Sequence, residues 1–247
     1  MQVIPVLDLL EGRAVHARGG VRGRYAPLVS QLARGALAGD ARAIGKAYHT
    51  KLGARSTYVA DLDAIGGSEP QWDLVRELSD GGVHIWIDAG IACAKSAEAW
   101  AALAGIELVV VGLETLPGLE ALNEIVAGAS EKRVAFSLDL RDGQLVSRAP
   151  ALCHRYPEEV AAMAADAGAA CVIVLDLGRV GSGAGVDELL LGRIAREIPD
   201  VELVAGGGIS AVGELRRLAT LGAHGVLIGS ALHDGRIGRL EIDGMAG

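Results

Sequence analysis

The stretch Val6-Leu-Asp-Leu-Leu-Glu-Gly-Arg-Ala-Val15 returns in the second half of the chain as Ser137-Leu-Asp-Leu-Arg-Asp-Gly-Gln-Leu-Val146. The two windows share Leu7 with Leu138, Asp8 with Asp139, Leu9 with Leu140, Gly12 with Gly143 and Val15 with Val146. One matched window is weak evidence of duplication. Two more follow in the same order, Asp61-Leu62 against Asp176-Leu177 and Gly90-Ile91 against Gly208-Ile209. Together they describe a chain made of two related halves.

Outward from these windows, short apolar runs alternate with helical patterns. Strands are expected at Val3–Leu9, Ser56–Leu62, Val83–Asp88, Leu108–Gly112, Val134–Leu140, Cys171–Leu177, Glu202–Ala205 and Gly225–Ile228. Helical periodicity covers residues 41–52, 71–79, 96–103, 119–127, 158–167, 187–197 and 211–221. Several strands are continuously apolar, as a parallel sheet covered on both faces requires. Ser96 and Ser210 are expected to cap helices, and Pro157 suits a first helical turn. About eight β/α repeats in one chain fit a (β/α)8 TIM barrel, an α/β fold, here with half-barrel internal duplication. A doubly wound sheet would need a Gly-rich turn after its first strand, whereas this strand ends in Asp8. The expectation is a single barrel domain over residues 1–247. Its first βα connection, residues 10–40, is long and basic (Arg13, His16, Arg18, Arg22, Arg24). Active sites sit on that side of a barrel, so this loop reads as a lid, against the plainer reading of a surface insertion.

Composition bounds the function. Of 247 residues, 51% are hydrophobic and 3% aromatic, with Phe136 as the one phenylalanine, so Ala, Val, Leu and Ile must build the core. A net charge of −8 argues against a nucleic-acid surface and requires an anionic substrate to be held by local donors. No apolar run reaches membrane-spanning length, and the N-terminus lacks the pattern of a signal peptide. Cys93, Cys153 and Cys171 form no CxxC and read as reduced thiols of a cytoplasmic protein. The six histidines show no ligand spacing, so no metal site is expected. Trp72, Trp86 and Trp100 read as separate packing anchors.

Asp8 and Asp139 end the first and fifth strands, which face each other across an eight-stranded barrel. A ligand between them can lose a proton to one carboxyl and gain one from the other. The plainer alternative is that each Asp accepts donors of its own Asp-x-x-x-Gly turn. Val204-Ala-Gly-Gly-Gly-Ile-Ser210 and Leu227-Ile-Gly-Ser-Ala-Leu232 follow the seventh and eighth strands, where barrels place a phosphate. Gly207, Gly208, Gly229 and Ser230 are the expected phosphate cup, with Gly181 and Ser182 closing it. A Cβ at Gly207 is expected to intrude on the bound anion. Asp61, Asp88, Glu114, Asp176, His16 and Arg18 are the remaining candidates for substrate contact.

Ile4-Pro-Val-Leu-Asp-Leu-Leu-Glu-Gly-Arg-Ala-Val15 resembles the N-terminal signature of the histidine-biosynthesis barrels, the phosphoribosylformimino-aminoimidazole-carboxamide ribotide isomerase and the related cyclase subunit of imidazole glycerol phosphate synthase. Tyr58-Val-Ala-Asp-Leu-Asp63, Ser137–Gly143, Ala205-Gly-Gly-Gly-Ile209 and Ile228-Gly-Ser-Ala231 match the family in order. The resemblance spans nearly the whole chain. It implies an Amadori aldose–ketose isomerisation without metal or organic cofactor, with Asp8 as general base and Asp139 as general acid. No glutaminase partner is expected, since nothing in the sequence marks one or an ammonia path.

The chain departs from that family where a second phosphate should bind. Its third- and fourth-strand loops read Asp88-Ala89-Gly90-Ile91 and Gly112-Leu113-Glu114, with carboxylates where the family has small or donor residues. Val180 stands where the loop after strand six should carry a ligand-contacting Asp. The first loop, from Val15-His16-Ala17-Arg18-Gly19-Gly20 to Arg24-Tyr25-Ala26-Pro27-Leu28, is similar to that of a divergent branch in methanogens and methylotrophs. That branch is associated with tetrahydromethanopterin- and methanofuran-type one-carbon metabolism. The departures imply a monophosphorylated substrate whose far end is uncharged or positive.

Overall fold

The computed structural model describes residues 1–19, 22–129 and 133–245. Gly20, and the side chain of Arg22 in the expected lid, lie outside the described residues. Eight parallel strands form a closed ring: β1 (Gln2–Leu10), β2 (Thr57–Asp61), β3 (Ile85–Asp88), β4 (Ile106–Gly112), β5 (Arg133–Arg141), β6 (Cys171–Asp176), β7 (Glu202–Gly206) and β8 (Gly225–Ile228). Pairing of β8 with β1, Val226 opposite Val3, closes the barrel. Between them run α1 (Ala41–Leu52), α2 (Trp72–Asp80), α3 (Ala94–Ala101), α4 (Leu119–Gly128), α5 (Pro157–Asp166), α6 (Glu188–Glu197) and α7 (Val212–Thr220), and α8 (Arg239–Asp243) follows β8. Among the described residues no helix is long and apolar enough to cross a membrane.

Two apolar layers follow from the alternation of side chains along each strand. Residues such as Ile4, Tyr58, Trp86, Leu108, Ile173 and Val204 fill the barrel interior. The other face of each strand, with Leu7, Val59, Ile87, Val109, Phe136 and Val172, packs against the helices. Cys171 is a buried interior residue whose thiol burial pushes up to about 12. Trp72 and Trp100 are not separate anchors. Their rings stack at 3.7 Å between centroids, while Trp86 packs alone inside the barrel.

The two halves repeat at the level of hydrogen bonds. On one side Asp8 pairs with Ala60, Ala60 with Asp88, and Asp88 with Val110. On the other Asp139 pairs with Leu175, Leu175 with Gly206, and Gly206 with Leu227. β1 and β5 each turn back through a two-residue hairpin. Glu11 and Asp142 take φ of 50° and 53°, and Gly12 and Gly143 take 77° and 76°. Positive φ at both central positions is the geometry of the tight hairpin turn that a following Gly favours.

Several expected local features differ. Ser96 and Ser210 are not the caps: Cys93 and Ala211 precede α3 and α7, and neither side chain accepts a helix N–H. Ser96 Oγ instead donates to the Cys93 carbonyl, and Ser210 Oγ to that of Gly183. Pro157 does open α5. Part of the 10–40 connection is regular structure: Arg13–His16 runs antiparallel to β1, and Ala26–Pro27 pairs with it in turn.

Candidate active site

A cavity of about 400 Å3 opens at the C-terminal ends of the strands. Asp8, Asp139, Asp88, Glu114, His16, Gly181, Gly207, Gly208, Gly229 and Ser230 line it together. Residues from the two ends of the sequence therefore meet in one volume, because the strand ends of a closed barrel converge.

The paired aspartates are held differently. Asp139 is buried, and its carboxylate accepts from Ser137 Oγ at 2.7 Å and from the Glu114 N–H at 3.0 Å. At the position matching Ser137 the first half carries Val6, which has no hydroxyl to offer. Asp8 accepts no hydrogen bond among the described residues and keeps part of its surface open. Burial and the Asp88 carboxylate push the Asp8 carboxyl up to about 7. Burial first and Asp88 second hold the Asp139 carboxyl well above the usual range, against the pull of its two donors. Asp88 accepts from the Tyr58 hydroxyl at 2.8 Å and from the Gly90 N–H at 3.3 Å.

Raised carboxyl pKa values oppose folding once the groups ionise. Asp8 titrates near 3.8 when unfolded and near 7 when folded. Between those values the folded protein keeps a proton that the unfolded chain has lost, so this contribution to stability falls as pH rises. Asp139 acts in the same direction. His233, which burial pushes down to about 4, acts in the opposite one: it binds a proton more readily unfolded, so its contribution falls as pH drops below 6.5. The clean readout is therefore a difference. Asp139→Asn is expected to exceed the wild type in stability at pH 8 by about 1–2 kcal/mol and to lose that advantage by pH 5. Denaturant melts at the two pH values check it, and an equal difference at both would refute it.

Not every expected site residue reaches the cavity. Asp61 is fully buried and accepts from the N–H groups of Ala64 and Gln71 and from Gln71 Nε2. Gln71 in turn accepts the Gly12 N–H at 2.9 Å, so Asp61 braces the first hairpin through Gln71. Asp176 does the same job directly, accepting from Asp142 and Gly143 at 3.2 and 3.3 Å and pairing with Arg179. Both aspartates thus fix the turns beyond Asp8 and Asp139 and are not presented to a ligand. Ser182 is turned onto the Arg179 carbonyl, and Arg18 lines a neighbouring cleft instead of the main cavity.

The cup glycines also differ from one another. A Cβ at Gly207 would meet the Asp176 carbonyl at 2.8 Å, and one at Gly208 the Arg179 carbonyl at 2.7 Å. The expected intrusion of a Gly207 Cβ on the anion is therefore corrected: it would first strike the backbone of Asp176 at the end of β6. Gly229 alone of the three has room, its nearest neighbour being Val6 Cβ at 3.9 Å. Ser230, next to it, bonds His16 Nε2 through Oγ at 2.7 Å, which ties the first loop to the cup. Burial and the nearby Arg18 lower the pKa of His16. The same loop reaches the opposite rim, where the Gly19 N–H donates to the Val180 carbonyl at 2.9 Å.

Sequence reasoning missed Tyr25, Tyr58, Arg141, His233 and Arg236 among the lining residues. His233 is buried, with Nδ1 on Ser30 Oγ at 2.9 Å and Nε2 on the Tyr48 hydroxyl at 2.9 Å. Tyr48 donates to the Val6 carbonyl at 2.7 Å, which leaves His233 Nε2 as the donor to Tyr48. Tyr58 stood inside a quoted motif without a role. Tyr25 and Arg141 likewise stood inside quoted stretches without a role, and nothing local in the sequence marks His233 or Arg236 as lining residues. Among the described residues no group of three or more His, Cys, Asp or Glu is placed to hold a metal ion.

Comparison with known proteins agrees with this architecture. Residues 2–238 match the family model described as histidine biosynthesis protein. An uncharacterized protein of Methanocaldococcus jannaschii is 29% identical over 246 residues, covering 98% of this chain and 97% of that protein. The 1-(5-phosphoribosyl)-5-((5-phosphoribosylamino)methylideneamino)imidazole-4-carboxamide isomerase of Deinococcus radiodurans is 29% identical over 241 residues, covering 96% and 95%. The isomerase of the same name in Cenarchaeum symbiosum is 27% identical over 244 residues, covering 96% and 97%. With a duplicated barrel, an aspartate on the first strand of each half and a family match along almost its full length, the chain belongs to the histidine biosynthesis protein family.

Proposed function

We propose that the chain is an acid–base isomerase of a phosphorylated aldose-type metabolite, working without a metal or organic cofactor. The observation that carries this reading is one cavity lined by both Asp8 and Asp139, from opposed strands, and by the glycines after β7 and β8. In the neutral form that burial favours, Asp139 donates a proton to the ring oxygen and opens the sugar. Asp8 as carboxylate takes the proton from C2. The resulting 1,2-enol-type intermediate receives the proton held by Asp8 at C1 and loses its O2 proton to Asp139, which gives the ketose and returns both carboxyls to their starting states. The phosphate rests on the backbone of Gly207, Gly208, Gly229 and Ser230, with His16 next to it. The loop over residues 10–40 acts as the lid, since it already bridges Ser230 and Val180.

The names of the relatives point to an Amadori rearrangement of a phosphoribosyl amine as the nearest known chemistry. A second reading, a paralogue acting on a monophosphorylated substrate in one-carbon cofactor biosynthesis, is favoured by Asp88, Glu114 and Val180 in the cavity wall. Expression in a histidine auxotroph lacking the isomerase separates the two. Growth supports the first. No growth, together with solvent deuterium appearing at C2 of a monophosphorylated aldose or amino-aldose in heavy water, supports the second. Neither growth nor exchange on a broad panel would overturn the isomerase reading.

A further inference from the structure

We propose that the anionic group of the substrate is a diphosphate, with its inner phosphoryl group in the β7–β8 cup and its outer one beyond Ser230, on Arg18. The inference rests on the cup assigned above and adds the substrate class. It starts from a second cleft that the isomerisation does not use. This cleft, of about 520 Å3, lies beside the active-site cavity and is walled largely by residues 28–38 of the first loop. His16, Leu28, Ser230 and His233 line both cavities, so a single shared wall separates them.

Across that wall runs the hydrogen bond between His16 Nε2 and Ser230 Oγ, at 2.7 Å. Burial and then the charge of Arg18 hold His16 below the ordinary imidazole range, so its ring is neutral at pH 7. A neutral imidazole with its hydrogen on Nε2 and a hydroxyl have one donor each, and the bond between them uses one of the two. An anion threaded between the two groups would accept both. Arg18 stands just past this point. Its Cγ lies 3.2 Å from where a Cβ of Gly181 would be, so its stem packs at the rim of the cup while the side chain runs on into the cleft. Among the described residues no hydrogen bond or ion pair engages its guanidinium. The cleft's other charged residues are committed. Asp234 is held by Arg236 through Nε at 2.8 Å and Nη2 at 2.6 Å, and Arg34 donates to Gln31 at 3.2 Å. A chain of net charge −8 must hold an anion by local donors of this kind. A guanidinium fork matches two oxygens of a phosphoryl group. A monophosphate in the cup stays on the near side of the wall and leaves Arg18 unused. A second phosphoryl group, joined through a bridging oxygen, carries the ligand across.

Calorimetric titration of the intact protein with inorganic phosphate and inorganic diphosphate tests this. Each is expected to bind as one equivalent and in competition with the other, with diphosphate at least about tenfold tighter for the added guanidinium contact. Arg18 is exposed, and Arg18→Met keeps a stem over Gly181 while removing the charge. That variant should bring the two affinities to within about threefold of each other. Arg13 lies on the same loop and lines neither cavity, so Arg13→Met alters the net charge equally and should leave the preference intact. Equal affinity of the wild type for the two anions, or binding of both at once, would overturn the proposal without any variant. So would a preference that survives Arg18→Met, or one that falls as far in Arg13→Met. Failure of the wild type to bind either anion would instead sink the cup itself, and with it the reading on which this inference rests.

Discussion

Asp8→Asn is expected to lower turnover by about 10²–10⁴-fold while leaving the fold intact, and Asp139→Asn by a comparable factor. The asparagine keeps the shape of the side chain and removes its ability to exchange a proton. The two losses should differ in their pH signature. A base with its pKa near 7 makes kcat/KM rise through neutrality as Asp8 ionises. An acid held well above the carboxylate range makes the rate fall on the alkaline side as Asp139 loses its proton. What activity Asp139→Asn retains should therefore lack the alkaline limb, and what Asp8→Asn retains should lack the acidic one. Deuterium incorporation from heavy water separates them further, since removal of the base abolishes exchange at C2. Near-normal turnover by both variants on a substrate that the wild type isomerises would remove the two aspartates from the mechanism.

The division of labour between these aspartates was only partly legible in the sequence. The repeat makes Asp8 and Asp139 equivalent, and the strand ladders bear that equivalence out residue by residue. What distinguishes them lies two residues earlier, in Val6 against Ser137. A hydroxyl at Ser137 anchors Asp139, and its absence leaves Asp8 unanchored and partly open. That difference is visible in the sequence, but its consequence appears only when the strand geometry brings i and i+2 to the same face.

Long-range placement was harder to read. Asp61 and Asp176 look like site residues because they close strands at the catalytic rim. Their carboxylates are consumed by turn N–H groups, a choice that depends on where the hairpins of the neighbouring strands lie. The chain of Ser30, His233 and Tyr48 joins the first loop, α1 and the short helix Ser230–His233 that follows β8. No local pattern encodes it, since its members are far apart in sequence. Conversely, Ser96 and Ser210 have the right residue type for caps, yet each sits one or more positions from the true helix boundary, where one residue of displacement changes the partner.

The glycines of the cup should fail in two separable ways. Gly208 has φ of 76°, and a side chain there would press on the Arg179 carbonyl and on the backbone N–H groups of Ala184 and Gly185. Gly208→Val is expected to cost about 2–4 kcal/mol of stability, from left-handed strain added to a backbone clash. Gly229 has negative φ of −112° and open space before it. Gly229→Val should therefore fold to within about 1 kcal/mol of the wild type, with its methyl groups standing between Val6 and the backbone of Ser230. Those methyls occupy the volume assigned to the phosphate. Loss of one or two charge-assisted hydrogen bonds, at about 1.5–3 kcal/mol each, corresponds to a drop in phosphate affinity of about 100-fold. Thermal melting together with calorimetric titration of inorganic phosphate separates the two effects. A Gly229→Val protein that melts like the wild type and still binds phosphate with unchanged affinity would place the anion somewhere other than the β7–β8 cup. One that neither folds nor binds would show instead that Gly229 is needed for the β8 turn, which the space around it argues against.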